Sequence, residues 1–254
     1  MKVYFLGTGT SQGIPVIGSL HPVCQSADLK DKRLRVSVWI YDENHSVVID
    51  CGPDFRQQML TSKCLHIDAI LFTHEHADHT AGIDDIRPFN FKQGALPVYA
   101  HKRVIQNLEK RFDYIFEIEN RYPGAPAVKT IEVTTNCNFY IGNLNVIPIN
   151  AYHGNLQVFG FKINNFAYLT DIKTIEMVEV EKIKGVKVLV INALREEQHL
   201  SHFSLQDALD FVTLVQPEKT YLTHISHLLG FHEEVQNKLP KNVFLAYDNL
   251  EITI

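Results

Sequence analysis

Metal-ligand chemistry is concentrated in one short run of the chain, His74-x-His76-x-Asp78-His79 within THEHADHTAG. Left without a ligand, three imidazoles and a carboxylate so close together would each need hydrogen-bond partners, and the protonated rings would repel one another. A cation satisfies all four groups at once, and nitrogen and carboxylate donors point to zinc, manganese or iron. In an extended chain side chains alternate with period two, so His74, His76 and Asp78 are predicted to face one side. His79 would then be brought back by the following turn or helix. The competing structural reading is a surface His/Asp loop.

One such run cannot complete two metal shells, and three further residues sit where ligands are displayed. His153 follows the apolar stretch NVIPINAY, Asp171 follows FAYLT, and His224 follows TYLT. Each lies in the loop after a predicted strand, where rigid elements present functional side chains. The alternative readings are a helix cap for Asp171 and turn histidines for His153 and His224.

The elements that must position these groups are legible as short apolar runs. KVYFLG is a predicted strand running into a Gly/Thr/Ser loop. LRVSVWIY and SVVID are joined by the polar turn DENH, which reads as a hairpin. Pro53 opens a predicted helix through Leu60, and IDAILFT is a buried strand leading directly into His74. Strands are predicted at 98–100, 130–134, 138–141, 145–149, 158–163 and 166–169, and later at 186–191, 220–223, 243–246 and 251–254. Helices are predicted over 102–112, 204–215 and 233–239, the second with Ser204 three residues ahead of Asp207 as a capping pair. Strands early and strand–helix alternation late imply an α/β protein of two sheets with helices outside them. No repeat, low-complexity tract or linker divides the chain, so residues 1–254 are expected to form one domain.

Composition narrows the function classes. With 254 residues, 45% hydrophobic, 21% charged and a net charge of −5, the chain is not predominantly disordered. No apolar stretch approaches the roughly 18 residues of a membrane span. The start, MKVYFLGTGTSQG, is too poor in apolar residues for a signal-peptide core, so a cytoplasmic protein is expected. Four cysteines, none in a Cys-x-x-Cys pair, indicate no disulfide framework. Mild acidity argues against an extended nucleic-acid footprint. The small basic cluster Lys30, Lys32, Arg33 and Arg35 reads as a solvated face.

Together these segments resemble the metallo-β-lactamase fold hydrolases. The likeness is greatest to the PhnP-type cyclic-phosphate phosphodiesterases and more distant to ribonuclease Z. It rests on GTGTSQGIPVIG, IDCGPDFRQQML, THEHADHTAGIDDIRPF, YLTDIK, EEQHLSHFSLQDAL and LTHISHLLGFHEEV, which together span nearly the whole chain. The resemblance implies a four-layer αββα sandwich and two divalent ions of zinc, manganese or iron. His74, His76 and His153 would hold one ion, Asp78, His79 and His224 the other, with Asp171 bridging. Asp50 would organise the site through hydrogen bonds without binding metal.

The implied reaction is in-line hydrolysis of a small or cyclic phosphodiester by a hydroxide held between the ions, with His202 as general acid in preference to the nearby His199. The two ions, two carboxylates and one hydroxide leave a formal charge of about +1, which attracts a phosphodiester monoanion. One departure from the PhnP pattern is plain. Where those proteins place Cys-x-Cys-x-x-Cys for a structural zinc, this chain has Ser19, His21 and Cys24, with His227 as the distant partner. A third zinc on His21, Cys24 and His227 is therefore possible but altered.

Other readings remain: thioester or lactone hydrolysis on the same dinuclear site, and a metal-binding sensor or scaffold without turnover. The expected partner is a small phosphodiester substrate, with no membrane and no nucleic acid. Oligomeric state stays open, a homodimer included.

Overall fold

The structure is a computed structural model and describes residues 1–117, 119, 121–135 and 137–254. Among the described residues the strands form two sheets. The first runs in the order β15-β1-β2-β3-β4-β5-β6. Its members are β1 (Lys2–Gly7), β2 (Ser37–Tyr41), β3 (Ser46–Ile49), β4 (Ala69–Leu71), β5 (Leu96–Ala100), β6 (Val128–Glu132) and β15 (Glu251–Thr253). The second runs β11-β8-β9-β10-β12-β13-β14, with β7 beside β8. These are β7 (Phe139–Ile141), β8 (Leu144–His153), β9 (Leu156–Ile163), β10 (Phe166–Leu169), β11 (Thr174–Ile175), β12 (Val188–Asn192), β13 (Lys219–Thr223) and β14 (Val243–Leu245).

Period-two alternation decides the layering. Val38 and Ile40 of β2, Val47 and Ile49 of β3, and Val188 and Val190 of β12 pack into one core between the sheets. Their alternates face outward. Val48 and Ile70 meet α2 (Phe55–Ser62), α4 (Arg87–Gln93), α5 (Lys102–Arg111) and α6 (Asp113–Phe116) through Phe55, Phe89, Val104 and Ile115. On the far side Leu189 and Ile191 meet α7 (Met177–Ile183), α8 (Leu205–Val215) and α9 (His232–Gln236) through Val180, Phe211 and Val235. The result is the expected αββα sandwich. Among the described residues no helix is long and apolar enough to cross a membrane.

In both sheets parallel strands converge at their carboxyl ends. β3, β4 and β5 are mutually parallel, as are β10, β12, β13 and β14. Ligand sites of α/β sheets open at such ends, and Asp50, His74, Asp171 and His224 all lie just beyond them. Asp50, Asp171 and His224 turn off their strands with φ of 64°, 58° and 55°. That left-handed conformation is unfavourable for residues with a Cβ and tends to collect at functional sites.

Two sequence expectations change. The run from His74 does not stay extended to Asp78, because α3 (Ala77–Thr80) begins directly after His76. The basic cluster is not a solvated face throughout. Arg33 is buried, donating Nη1 to Thr8 Oγ1 and Ala246 O and Nη2 to His232 Nδ1. Arg35 is paired with Asp54. The remaining helix, α1 (Pro22–Gln25), is capped by the His21 side chain.

Candidate metal centre

The loops that carry the site interlock through backbone. Cys51 N donates to His79 O at 2.7 Å and Gly82 N to Cys51 O at 2.9 Å. Gly52 lies so close to the histidine run that a Cβ there would fall 2.0 Å from Asp78 O. This close approach explains why a glycine follows the β3 strand end, a contact no larger residue permits.

Asp50 sits beneath the site, fully buried. It accepts from Thr73 N and Thr73 Oγ1 and from His79 Nδ1 at 2.7 Å. The His79 Nδ1 proton is thereby fixed, and Nε2 faces the site with its lone pair free, the arrangement in which a carboxylate orients a metal-binding imidazole. His153 is oriented in the same way, with Nδ1 donating to Ser201 O at 2.7 Å.

Four groups converge next to His79. Asp78, His79, Asp171 and His224 each offer an atom within 4.8 Å of the others. His79 Nε2 lies 3.2 Å from Asp78 Oδ2 and 3.4 Å from Asp171 Oδ1, and His224 Nε2 lies 3.2 Å from Asp171 Oδ1. Yet His79 Nε2 and both His224 ring nitrogens are buried without a hydrogen bond. Of these, His79 Nε2 and His224 Nε2 both stand beside carboxylate oxygens of Asp78 and Asp171. Orphaned buried nitrogens beside carboxylate oxygens are what a cation would satisfy.

The other oxygen of Asp171, Oδ2, faces the second half of the site, 3.9 Å from both His74 Nε2 and His202 Nδ1. His74 and His76 are 4.6 Å apart by ring centres, and His153 lies 5.3 Å from His76 and 5.9 Å from His74. The seven residues proposed as ligands surround one chamber, with Asp171 between its two halves. Asp78, His79, Asp171 and His224 fit a divalent cation, whereas His74 and His76, whose Nε2 and Nδ1 lie 3.0 Å apart, belong to neither grouping of convergent ligand atoms among the described residues.

The electrostatics show the same demand for positive charge. Burial raises the Asp171 carboxyl, but His224 and His79 outweigh it and hold it well below its usual range. Burial likewise lowers His79, yet Asp171, Asp78 and Asp50 pull it well above its usual value. His74 is driven well down by burial and by His79.

His202 sits in the same chamber, its ring 4.3 Å from His153 and 4.8 Å from His224. It shares a second potential metal grouping with His153 and Asp171, so it has the reach of a ligand as well as of an acid. Burial is the main cause pushing it down to about 3, with Asp171 acting in the opposite direction. His199 lies at the rim, 5.1 Å from His202.

The residues matched to a structural zinc meet only in part. His21 and His227 stand edge to face at 4.9 Å. His21 Nδ1 accepts from Val23 N, Cys24 Sγ from Val16 N, and Ser19 Oγ from His21 N. Among the described residues this trio is not one of the groupings with ligand atoms within 4.8 Å. His232 Nδ1 lies 3.1 Å from Arg33 Nη2. A cavity of about 830 Å³ next to Arg33, lined by Ile14, Leu29, Lys30, Tyr247 and Asp248 among others, includes none of the seven gathered residues.

Residues 45–225 match the beta-lactamase superfamily domain. The chain belongs to the metallo-β-lactamase superfamily. A solved diphosphatase of the PhnP family superposes with a TM-score of 0.92 at 35% identity, covering 100% of this chain and 97% of that one. Human tRNase Z, short form, shares the fold with a TM-score of 0.72 at 19% identity, covering 100% and 99% of the two chains. An octanoyltransferase of Porphyromonas gingivalis is 40% identical over 256 residues, across all of this chain. The chain spans about half the length of that curated relative, 52%. The chain thus combines the fold of that superfamily with a His/Asp cluster that could hold metal.

Proposed function

We propose that residues 1–254 act as one phosphodiesterase unit that cleaves a small or cyclic phosphodiester. The observation that carries this reading is the convergence of seven His and Asp side chains with His202 in the same chamber. The likeness over the full chain to a PhnP-family diphosphatase supports a phosphorus centre. His74, His76 and His153 would hold one ion and Asp78, His79 and His224 the other, with one Asp171 oxygen directed to each half. Two divalent ions there would supply Lewis acidity and ready a water for attack.

The chain's own residues do the rest. Asp50 and Ser201 O fix the tautomers of His79 and His153, so their Nε2 atoms need no reorganisation. Asp78 joins its ligand role to that of orienting the attacking water. His202 would supply the proton that the leaving alkoxide requires.

The test is hydrolysis of a chromogenic phosphodiester by zinc- or manganese-loaded protein. Loss of activity in both His76→Ala and Asp171→Asn is expected, and full activity in both variants would refute the reading.

A second reading is thioester hydrolysis at the same centre, favoured by the acyl chemistry in the name of the P. gingivalis relative. The two are separated by His202→Ala. Thiolates leave without protonation, so the substitution would spare a thioester and slow a diester with a poor leaving group.

A further inference from the structure

Outside the histidine set, a charged clamp grips the loop that bears it. Glu75 lies between His74 and His76, and its carboxylate meets Arg103 of α5. Arg103 Nε donates to Oε1 at 2.7 Å and Nη2 to Oε2 at 3.1 Å. The same Nη2 donates to Gln157 O at 2.5 Å. Gln157 lies on β9 opposite Tyr152, the neighbour of His153 in the β8–β9 ladder. One guanidinium thus ties the His74/His76 loop, on the first sheet, to the hairpin that carries His153, on the second.

Arg111, two turns further along α5, reinforces the grip. Its Nη1 donates to Glu75 O at 2.9 Å and to Thr80 Oγ1 at 3.0 Å, and Thr80 Oγ1 donates to His76 O at 2.9 Å. An isolated exposed ion pair contributes little. This one is two-pronged, only 15% exposed on the Glu75 side, and shared with a backbone carbonyl, the setting in which arginine's fixed fork imposes geometry.

We propose that Arg103, supported by Arg111, is a positioning residue that sets the spacing between His76 and His153 and so tunes one of the two cation positions. The inference rests on the metal-centre reading above. Arg103 touches neither a metal-binding atom nor the substrate. Its effect is one-sided. The Asp78, His79, Asp171 and His224 grouping is held by Asp50 and by the Cys51 N to His79 O bond, neither of which Arg103 touches; of the two α5 arginines only Arg111, through Thr80 Oγ1, reaches the α3 turn that carries Asp78 and His79.

The experiment titrates metal-free protein with cobalt(II), followed by calorimetry and by the visible spectrum of the bound ion. Wild type, Arg103→Met, Arg103→Lys and Glu75→Gln are compared. In Arg103→Met one binding step is expected to weaken about 10-fold or more while the other step and the melting temperature of the metal-free protein stay as in wild type. Arg103→Lys should fall between, and combining Arg103→Met with Glu75→Gln should add little to either alone. Unchanged binding in Arg103→Met, or equal weakening of both steps together with a lowered melting temperature, would overturn the proposal while leaving the metal centre standing. A wild-type chain that takes up no cobalt would overturn the centre and this inference together.

Discussion

Asp171 addresses both halves of the centre through separate oxygens, Oδ1 toward His79 and His224 and Oδ2 toward His74 and His202. Asp171→Asn keeps the shape but replaces one oxygen with a donor, so it is expected to lower turnover by a factor of about 100 or more, the scale of losing a main electrostatic contributor. His202 separates acid from ligand. If it acts as the acid, His202→Ala keeps the wild-type metal content and slows diester cleavage about 10²- to 10⁴-fold for poor leaving groups, with little effect on a nitrophenolate. Steady-state rates across a series of leaving groups check this, and loss of metal on substitution would assign His202 to coordination instead. At this scale the sequence singles out His153, Asp171 and His224 because each ends an apolar strand, and the structure sets them near the histidine run. Arg33, Glu75 and Arg103 were not, because nothing local marks an arginine whose partners lie dozens to hundreds of residues away.

Among the elements, the loop after β3 and the histidine loop form one backbone unit, with Gly52 at their closest approach. Gly52→Ala would place a methyl group 2.0 Å from Asp78 O, a backbone atom that cannot swing aside. Destabilisation of at least about 1–3 kcal/mol is expected, together with poorer metal uptake, both readable by thermal melts with and without zinc. Unchanged melting and uptake would show that the loops are not coupled in this way. Strands were legible here because even a four-residue run rich in β-branched residues, such as SVVI, buried throughout, stands out between turn residues. Short helices such as α1, α3, α4 and α7 were not, since four to seven residues give too little helical period to stand out. The missed α3 also explains the wrong expectation that Asp78 shares an extended face with His74 and His76. The capping pair at Ser204 did form, with Ser204 Oγ accepting from Asp207 N and the Asp207 carboxylate accepting from Ser204 N.

The molecule as a whole closes where its two ends meet. Arg33 near the start and Ala246 and Asp248 near the end share a buried network with His232. His232 is lowered to about 4 from an ordinary 6.5, chiefly by burial and then by Arg33 and Lys30, with Asp28 and Asp31 opposing. Its neutral form, which accepts from Arg33, therefore supports the fold fully above pH 6.5, and that support is lost as pH falls through about 4. Asp248, raised to about 6 mainly by burial, pulls the other way. The readout is thus the difference in slope between wild type and His232→Gln. The variant should lose part of the acid destabilisation between pH 6.5 and 4 in urea melts, and parallel curves would exclude His232 as its source. The layered architecture was readable from the order of strands and helices, whereas this end-to-end closure was not, because it depends on contacts over more than two hundred residues.

The metal content of the purified chain bears most directly on the central claim. Elemental analysis after exhaustive dialysis against dilute zinc or manganese should return two ions per chain, or three if His21, Cys24 and His227 also hold zinc, and His76→Ala and Asp171→Asn should each lower that number. A wild-type chain that returns no metal, or variants that retain the full complement, would contradict the assignment of these side chains to a dinuclear centre.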